Sequence, residues 1–331
     1  MPHPAKVSDL ALFQQKLLGT WSNDGVPNGK DGKPLSYNVM PLPQVEKQAS
    51  FPCCLGYILK NFTFTETIRF NNDDNTCSIT TPATAPNRGG RYSQIAQAVF
   101  YDQKVFFAEG PDANTAVHIE NGAWLWLTSS SQPLGPYNDV PAPPGPILPQ
   151  PAFMNIAKQI AVPHGNSVLA LGSVGEVVNG MLHIPDMPYP YPGSGAGEEA
   201  DVPAFPYYTL LNQNGDYENP NPQYTFNPNL PLQEAVKLLK PDAYLYWSVT
   251  TDPLPNAEHP VAQGSVTNIP FEQKRANVAS YKAEYWLLST DGGKTFEYLA
   301  YNQSIGLVIP LRGEPYTFPH ITANVVKRQG V

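Results

Sequence analysis

Cysteine is scarce in this chain, with three among 331 residues: Cys53, Cys54 and Cys77. Three cannot build a disulfide scaffold, no C-x-x-C occurs, and a vicinal pair lacks the spacing of zinc ligands. The thiols are therefore expected to be reduced and structural. Charge is sparse as well: 15% of residues, 28 acidic against 20 basic, for a formal net charge of −8. Scattered lysine and arginine on an acidic chain argue against a nucleic-acid or anionic-membrane surface. No apolar run approaches a membrane span, and the opening "MPHPAKVSDLALFQQKLLGTW" has no long apolar region of the signal-peptide type. From these absences the chain is expected to be cytoplasmic, with neither nucleic acid nor membrane as partner; a homodimer stays open. Catalytic signatures are missing too. There is no G-x-S-x-G elbow, and "GSGAG" at 193–197 has neither the lysine nor the following helix of a phosphate loop.

Proline is abundant instead. The 37 prolines are more than twice the average usage of about 5%, and they lie in blocks that read as long ordered loops between strands. Between the blocks the dominant pattern is short alternating runs. "YILKNFTFTETIRF" (57–70) reads as a strand or strand pair, and "YSQIAQAVFYDQKVFFAEG" as two strands around a Tyr101–Asp102 turn. In "TAVHIENGAWLWLTS" the pair Asn121-Gly122 predicts a hairpin, and further turns are expected at His164–Asn166 and Asn179–Gly180. Helical spacing occurs twice, in residues 7–18 and in "LPLQEAVKLLK" (230–240), where Pro231 suits a first turn and Pro241 ends it. Many local hairpins with one or two short helices predict an all-β fold, a single up-and-down barrel whose closure leaves no exposed edge.

Three histidines stand in contexts that could carry chemistry. His118 and Glu120, two apart on a strand, point to the same face, and with His164 they could form a two-histidine, one-carboxylate metal site. His164 lies between Pro163 and Gly165, a tight turn that presents its imidazole. His320 follows Pro319 and begins the alternation Ile321, Ala323, Val325 of the last segment, so it is expected to start the final strand and face the barrel mouth. A neutral imidazole there is a good axial ligand for heme iron.

Five stretches carry a family resemblance, in order along the chain: "LLGTW" (17–21), "FTETIRFNNDD" (64–74), "VHIENGAWL" (117–125), "VLALGSVGEVVNG" (168–180) and "YTFPHITANVVKR" (316–328). Together they resemble the nitrobindins, ten-stranded lipocalin-like β-barrels that hold ferric heme b at one end. The resemblance implies one barrel domain over 1–331, of about ten strands, with insertions at about 25–56, 130–155 and 185–265. It places His320 on the proximal iron ligand, Thr20 and Trp21 on the opening motif, and His118 among the cofactor-facing residues; His164 is the candidate distal, catalytic group. The implied function is heme binding with chemistry on reactive nitrogen species or peroxide, of the peroxynitrite isomerase or peroxidase type. Two other readings stand beside it: a heme-free lipocalin-like binder of a small hydrophobic ligand, and a metal-assisted enzyme using His118, Glu120 and His164.

Overall fold

Inward and outward positions alternate along most strands, so each segment buries one face and shows the other. Phe64, Glu66, Ile68 and Phe70 share one buried parity; Leu245, Trp247 and Val249 share another; Tyr281, Ala283, Tyr285 and Leu287 a third. Such faces are satisfied together when the sheet rolls around a common interior. The computed structural model describes residues 13–43, 57–71, 85–88, 94–96, 98–126, 156–163, 165–187, 193–194, 227–252, 264–269, 277–311 and 314–330.

The first half of the chain supplies β1 (Gly19–Ser22), β2 (Tyr37–Pro43), β3 (Tyr57–Phe62), β4 (Phe64–Asn71), β5 (Ala85–Arg88), β6 (Gln94–Ala96), β7 (Ala98–Phe107) and β8 (Ala116–Trp126). The second half supplies β9 (Ile156–Val162), β10 (Asn166–Asn179), β11 (Gly193–Ser194), helix α1 (Leu230–Leu239), β12 (Ala243–Thr250), β13 (Ser265–Asn268), β14 (Asn277–Ser289), β15 (Tyr298–Leu311) and β16 (Glu314–Arg328). Ten of these run in the order β1-β4-β7-β8-β9-β10-β12-β14-β15-β16, and β16 returns to β1 through Trp21↔Arg328 and Ser22↔Lys327. The result is the expected closed, antiparallel, up-and-down barrel. The β2–β3 hairpin extends it at one end, β2 lying beside β16 at Ile321↔Val39 and β3 running into β4 across Thr63. The side chain of Ser36 bonds both backbone groups of Phe64 across that junction.

The lower end of the barrel is plugged. A helical turn at residues 13–17 sets Phe13 edge-on against Trp247, with ring centroids 5.2 Å apart, and against Trp124 at 6.4 Å. Trp21 donates its indole N–H to the Leu17 carbonyl at 2.7 Å. Arg328 lies 5.1 Å over the Trp21 ring and donates to the carbonyls of Gln15, Lys16 and Leu18. One cation thus ties the last strand to the first and satisfies the open end of the helical turn. Outside the barrel, Leu232 and Ala235 of α1 pack on Trp286, Leu288, Ala300, Ala323 and Val325, which covers the outer faces of β14, β15 and β16. Among the described residues no helix is long and apolar enough to cross a membrane.

Several sequence expectations are corrected. Asn121-Gly122 is not a turn: β8 runs straight through it, and β7 likewise runs through Tyr101–Asp102. Gly122 is required for a different reason. A Cβ at this inward position would stand 1.9 Å from the Gln159 carbonyl oxygen and 2.9 Å from the Tyr101 hydroxyl. The actual β7–β8 connection lies at residues 108–115, where Asn114 takes the left-handed conformation at φ 65°. Gly122→Ala is expected to lower stability by ~1–3 kcal/mol, checked by urea unfolding, because Gln159 belongs to the adjoining strand and cannot retreat. Residues 185–265 are not one insertion, since β12 within them is a stave of the barrel, and β2 falls within 25–56. The expected insertion at 130–155 lies outside the described residues, as do residues 7–12 of the first expected helix. The final strand begins at Glu314, so His320 sits within it rather than at its start.

Candidate functional site

The inner face of β16 carries His320, Thr322, Asn324, Val326 and Arg328 in succession, as shown by Asn324 bonding the inward Glu66, Val326 joining the central core and Arg328 covering Trp21. Arg328 marks the plugged lower end. His320 stands eight residues away at the upper end, roughly 26 Å along a strand rising ~3.3 Å per residue. It is 9% exposed, and its Nδ1 lies 2.8 Å from the carbonyl oxygen of Val39 on β2. A carbonyl can only accept, so Nδ1 carries the proton and, in the neutral ring, the lone pair is on Nε2. Beside it Asn38 donates to the Thr322 hydroxyl at 3.1 Å, while Asn38 Oδ1 is buried without a partner among the described residues. Met40, Phe62, Phe64, Val105 and Phe107 form the apolar wall of this end.

Below that wall the interior is charged. Lys158 is buried on β9, and its three N–H bonds go to Glu120 Oε1 at 3.1 Å, Tyr281 Oη at 3.0 Å and Tyr285 Oη at 3.0 Å. The ammonium also sits within 6 Å of the ring centroids of Tyr101, Trp124, Tyr281 and Tyr285, a cage of π-faces that offsets its lost hydration. Glu120 further accepts from Tyr101 Oη at 2.6 Å and meets His118 Nε2 at 3.4 Å. Burial alone would raise the Glu120 pKa, but the adjacent Lys158, with His118 and Tyr101, overrides it and brings the group down to about 2. Burial likewise opposes the Lys158 charge, and Glu120 outweighs it, holding the ammonium well above its ordinary value.

The second carboxylate behaves in the opposite way. Glu66, on β4, is buried with no cation against it among the described residues; its oxygens accept from Tyr301 at 2.8 Å, Asn324 at 2.8 Å and Gln103. Burial dominates over these neutral donors and pushes its pKa up to about 7. Tyr301 lies against Tyr285, with centroids 5.7 Å apart, and Tyr285 stacks on Trp247 at 5.1 Å with planes 7° apart.

The residues singled out in the sequence are distributed unevenly across this arrangement. His118 and Glu120 are brought together as expected, and His118 lies between the surface and Lys158, its side chain 17% exposed. His164 lies outside the described residues, and among those described no group of three His, Cys, Asp or Glu is placed to hold a metal ion. The Glu120 oxygen nearest Lys158 is already committed to that cation. Trp21 and Thr20 are at the lower end, away from His320: Trp21 is core beneath Arg328, and the Thr20 carbonyl accepts from the Gln329 N–H. The sequence reading missed Glu66, Lys158, Tyr281, Tyr285 and Tyr301. A signal for two of them was present, because Glu66 falls on the same parity as Phe64 and Ile68, and Lys158 on that of Ile156 and Ile160. A charge on an apolar parity is a buried charge.

The chain matches no known family model and no curated protein. Among solved structures it is similar to Rv2717c from M. tuberculosis, at 12% identity and a TM-score of 0.39, the alignment covering 97% of this chain and 98% of that one.

Proposed function

We propose that the protein is a heme-binding β-barrel in which His320 Nε2 is the axial ligand of ferric heme b at the upper end. The observation that carries this reading is the His320 Nδ1–H bond to the Val39 carbonyl at 2.8 Å. It fixes the tautomer and ring orientation and raises the basicity of Nε2, as the outer hydrogen bond of a metal-bound histidine does. The surrounding residues fit the group: Met40, Phe62, Phe64, Val105 and Phe107 offer an apolar wall for a porphyrin edge. His320 would hold the ferric heme, which when bound would supply Lewis-acid and redox chemistry toward a small anion or diatomic, and this is where the resemblance to nitrobindins points to reactive nitrogen species or peroxide. A heme-free, lipocalin-like binding role is favoured by one observation, the buried Asn38 Oδ1 with no partner among the described residues, which suits a small hydrophobic molecule carrying one donor.

Titration of the purified chain with hemin separates the two. A Soret band that survives desalting, is lost in His320→Ala and persists in His118→Ala is expected. A band of unchanged position and intensity in His320→Ala, or no band in the wild type, would remove the heme reading. Retention of an apolar fluorescent probe without hemin retention would then favour the second.

A further inference from the structure

Two phenols in the barrel donate to a buried carboxylate, and the two carboxylates differ in what happens when they take a proton. Tyr101 bonds Glu120, which is paired with Lys158. Tyr301 bonds both oxygens of Glu66, whose other donors, Gln103 and Asn324, are neutral amides. Protonating Glu120 would strand a buried ammonium, a costly outcome. Protonating Glu66 removes an unpaired buried charge, which the interior favours.

We propose that Tyr301 is a redox-active residue that gives one electron to a one-electron oxidant while passing its phenolic proton to Glu66. Starting from ionised Glu66, the form that prevails above about pH 7, the step balances: the oxidant is reduced by one electron, the Tyr301 O–H bond breaks, an O–H bond forms on the Glu66 carboxylate, and a neutral phenoxyl radical faces a neutral carboxylic acid. Local charge goes from −1 to zero in a place where charge is penalised. Glu66, raised to about 7 by burial, is a far stronger base than Glu120, held at about 2.

The neighbouring rings direct the oxidation to Tyr301. Trp247, Tyr285 and Tyr301 form a stacked column with centroid steps of 5.1 and 5.7 Å, so an electron can leave through it without the oxidant touching Tyr301. Trp247 is not an end point, because its buried Nε1–H has no acceptor among the described residues to take its proton. Tyr285 and Tyr281 each accept from the Lys158 ammonium, which withdraws electron density, and the acceptors within reach of Tyr281, the Gln303 amide oxygen and the Tyr285 phenol at 3.2 Å each, are neutral and weakly basic. At 2% exposure Tyr301 is shielded from the radical coupling that consumes surface phenoxyls.

The test uses the full chain without hemin, so its outcome is independent of the heme reading. Deoxygenated protein at pH 8, where Glu66 is ionised, is treated with hexachloroiridate(IV), which is reduced to hexachloroiridate(III), and electron paramagnetic resonance is recorded after surface radicals have coupled. A persistent neutral tyrosyl signal is expected in the wild type and in Tyr101→Phe, and its loss in Tyr301→Phe. Glu66→Gln keeps an oxygen for the phenol to bond but cannot take the proton, and it too should lose the signal. Should Tyr301→Phe not fold by near-ultraviolet circular dichroism, Glu66→Gln decides alone. No persistent wild-type signal, a wild-type signal in Tyr301→Phe, or an undiminished one in Glu66→Gln would overturn the proposal.

Discussion

Replacing Lys158 by methionine is expected to destabilise the protein by about 3–5 kcal/mol at neutral pH, the cost of breaking a buried ion pair from one side. Methionine fills much of the volume of the lysine stem, so the loss is electrostatic rather than a cavity. Glu120 would keep its bonds from Tyr101 and His118 but lose the cation that overrides its burial, and the phenol oxygens of Tyr281 and Tyr285 would lose a donor. Its carboxyl must then take a proton to remain inside. Two companions make the prediction specific. Adding Glu120→Gln should return part of the lost stability, because removing both charges leaves neither one unpaired. The deficit of Lys158→Met should also shrink towards low pH, as protonation relieves Glu120. Urea unfolding of the wild type, both single variants and the double variant measures all of this. A cost below about 1 kcal/mol for Lys158→Met, or a double variant as unstable as the sum of its parts, would show that the pair is not the interior anchor described here.

How much of this was legible in the sequence depends on the range of the interaction. The all-β barrel was legible, because period-two alternation in segments such as 64–71 and 243–250 is a local signal that burial enforces strand by strand. Helix α1 was legible for a similar reason: Pro231 and Pro241 bracket it locally. Asn121-Gly122 misled because the dipeptide has two distinct uses. It matches a tight turn, but here the missing Cβ admits a carbonyl and a hydroxyl from strands outside the local sequence. The alternation of β12 was legible, but its place as a stave was hidden, because the family pattern marked 185–265 as an insertion and the pairing of β12 with β10 and β14 is non-local. The site followed the same division. The inward, upper-end position of His320 was legible from its neighbours in sequence, and the pairing of His118 with Glu120 from their spacing. The partners of Glu66 could not be read that way, since Asn324 is 258 residues distant and Tyr301 is 235. Its parity marked it as buried; only the closed sheet shows that no cation among the described residues meets it.

That missing cation has a consequence in solution. Glu66 is raised from an ordinary value of 4.5 to about 7 in the folded protein, so the folded state binds its proton more tightly than the unfolded chain does. The sign follows from linkage. Below pH 4.5 the group is protonated in both states and its contribution is fully present. As pH rises towards 7 the unfolded chain ionises first, and stability falls; above about 7 the loss is complete. The interval corresponds to about 3 kcal/mol. Glu120 runs the other way, its contribution lost as pH falls through about 2, outside this window. Glu66→Gln removes the titration while keeping a neutral side chain of the same shape, whose Oε1 can still accept from Tyr301 and Asn324. The stability of Glu66→Gln relative to wild type is therefore expected to rise by about 3 kcal/mol between pH 4.5 and pH 8, measured by urea unfolding across that range. All groups common to both proteins cancel in the difference. Parallel pH curves for the two proteins would mean that Glu66 does not hold its proton in the folded barrel, and the base for Tyr301 would be weaker than its burial implies.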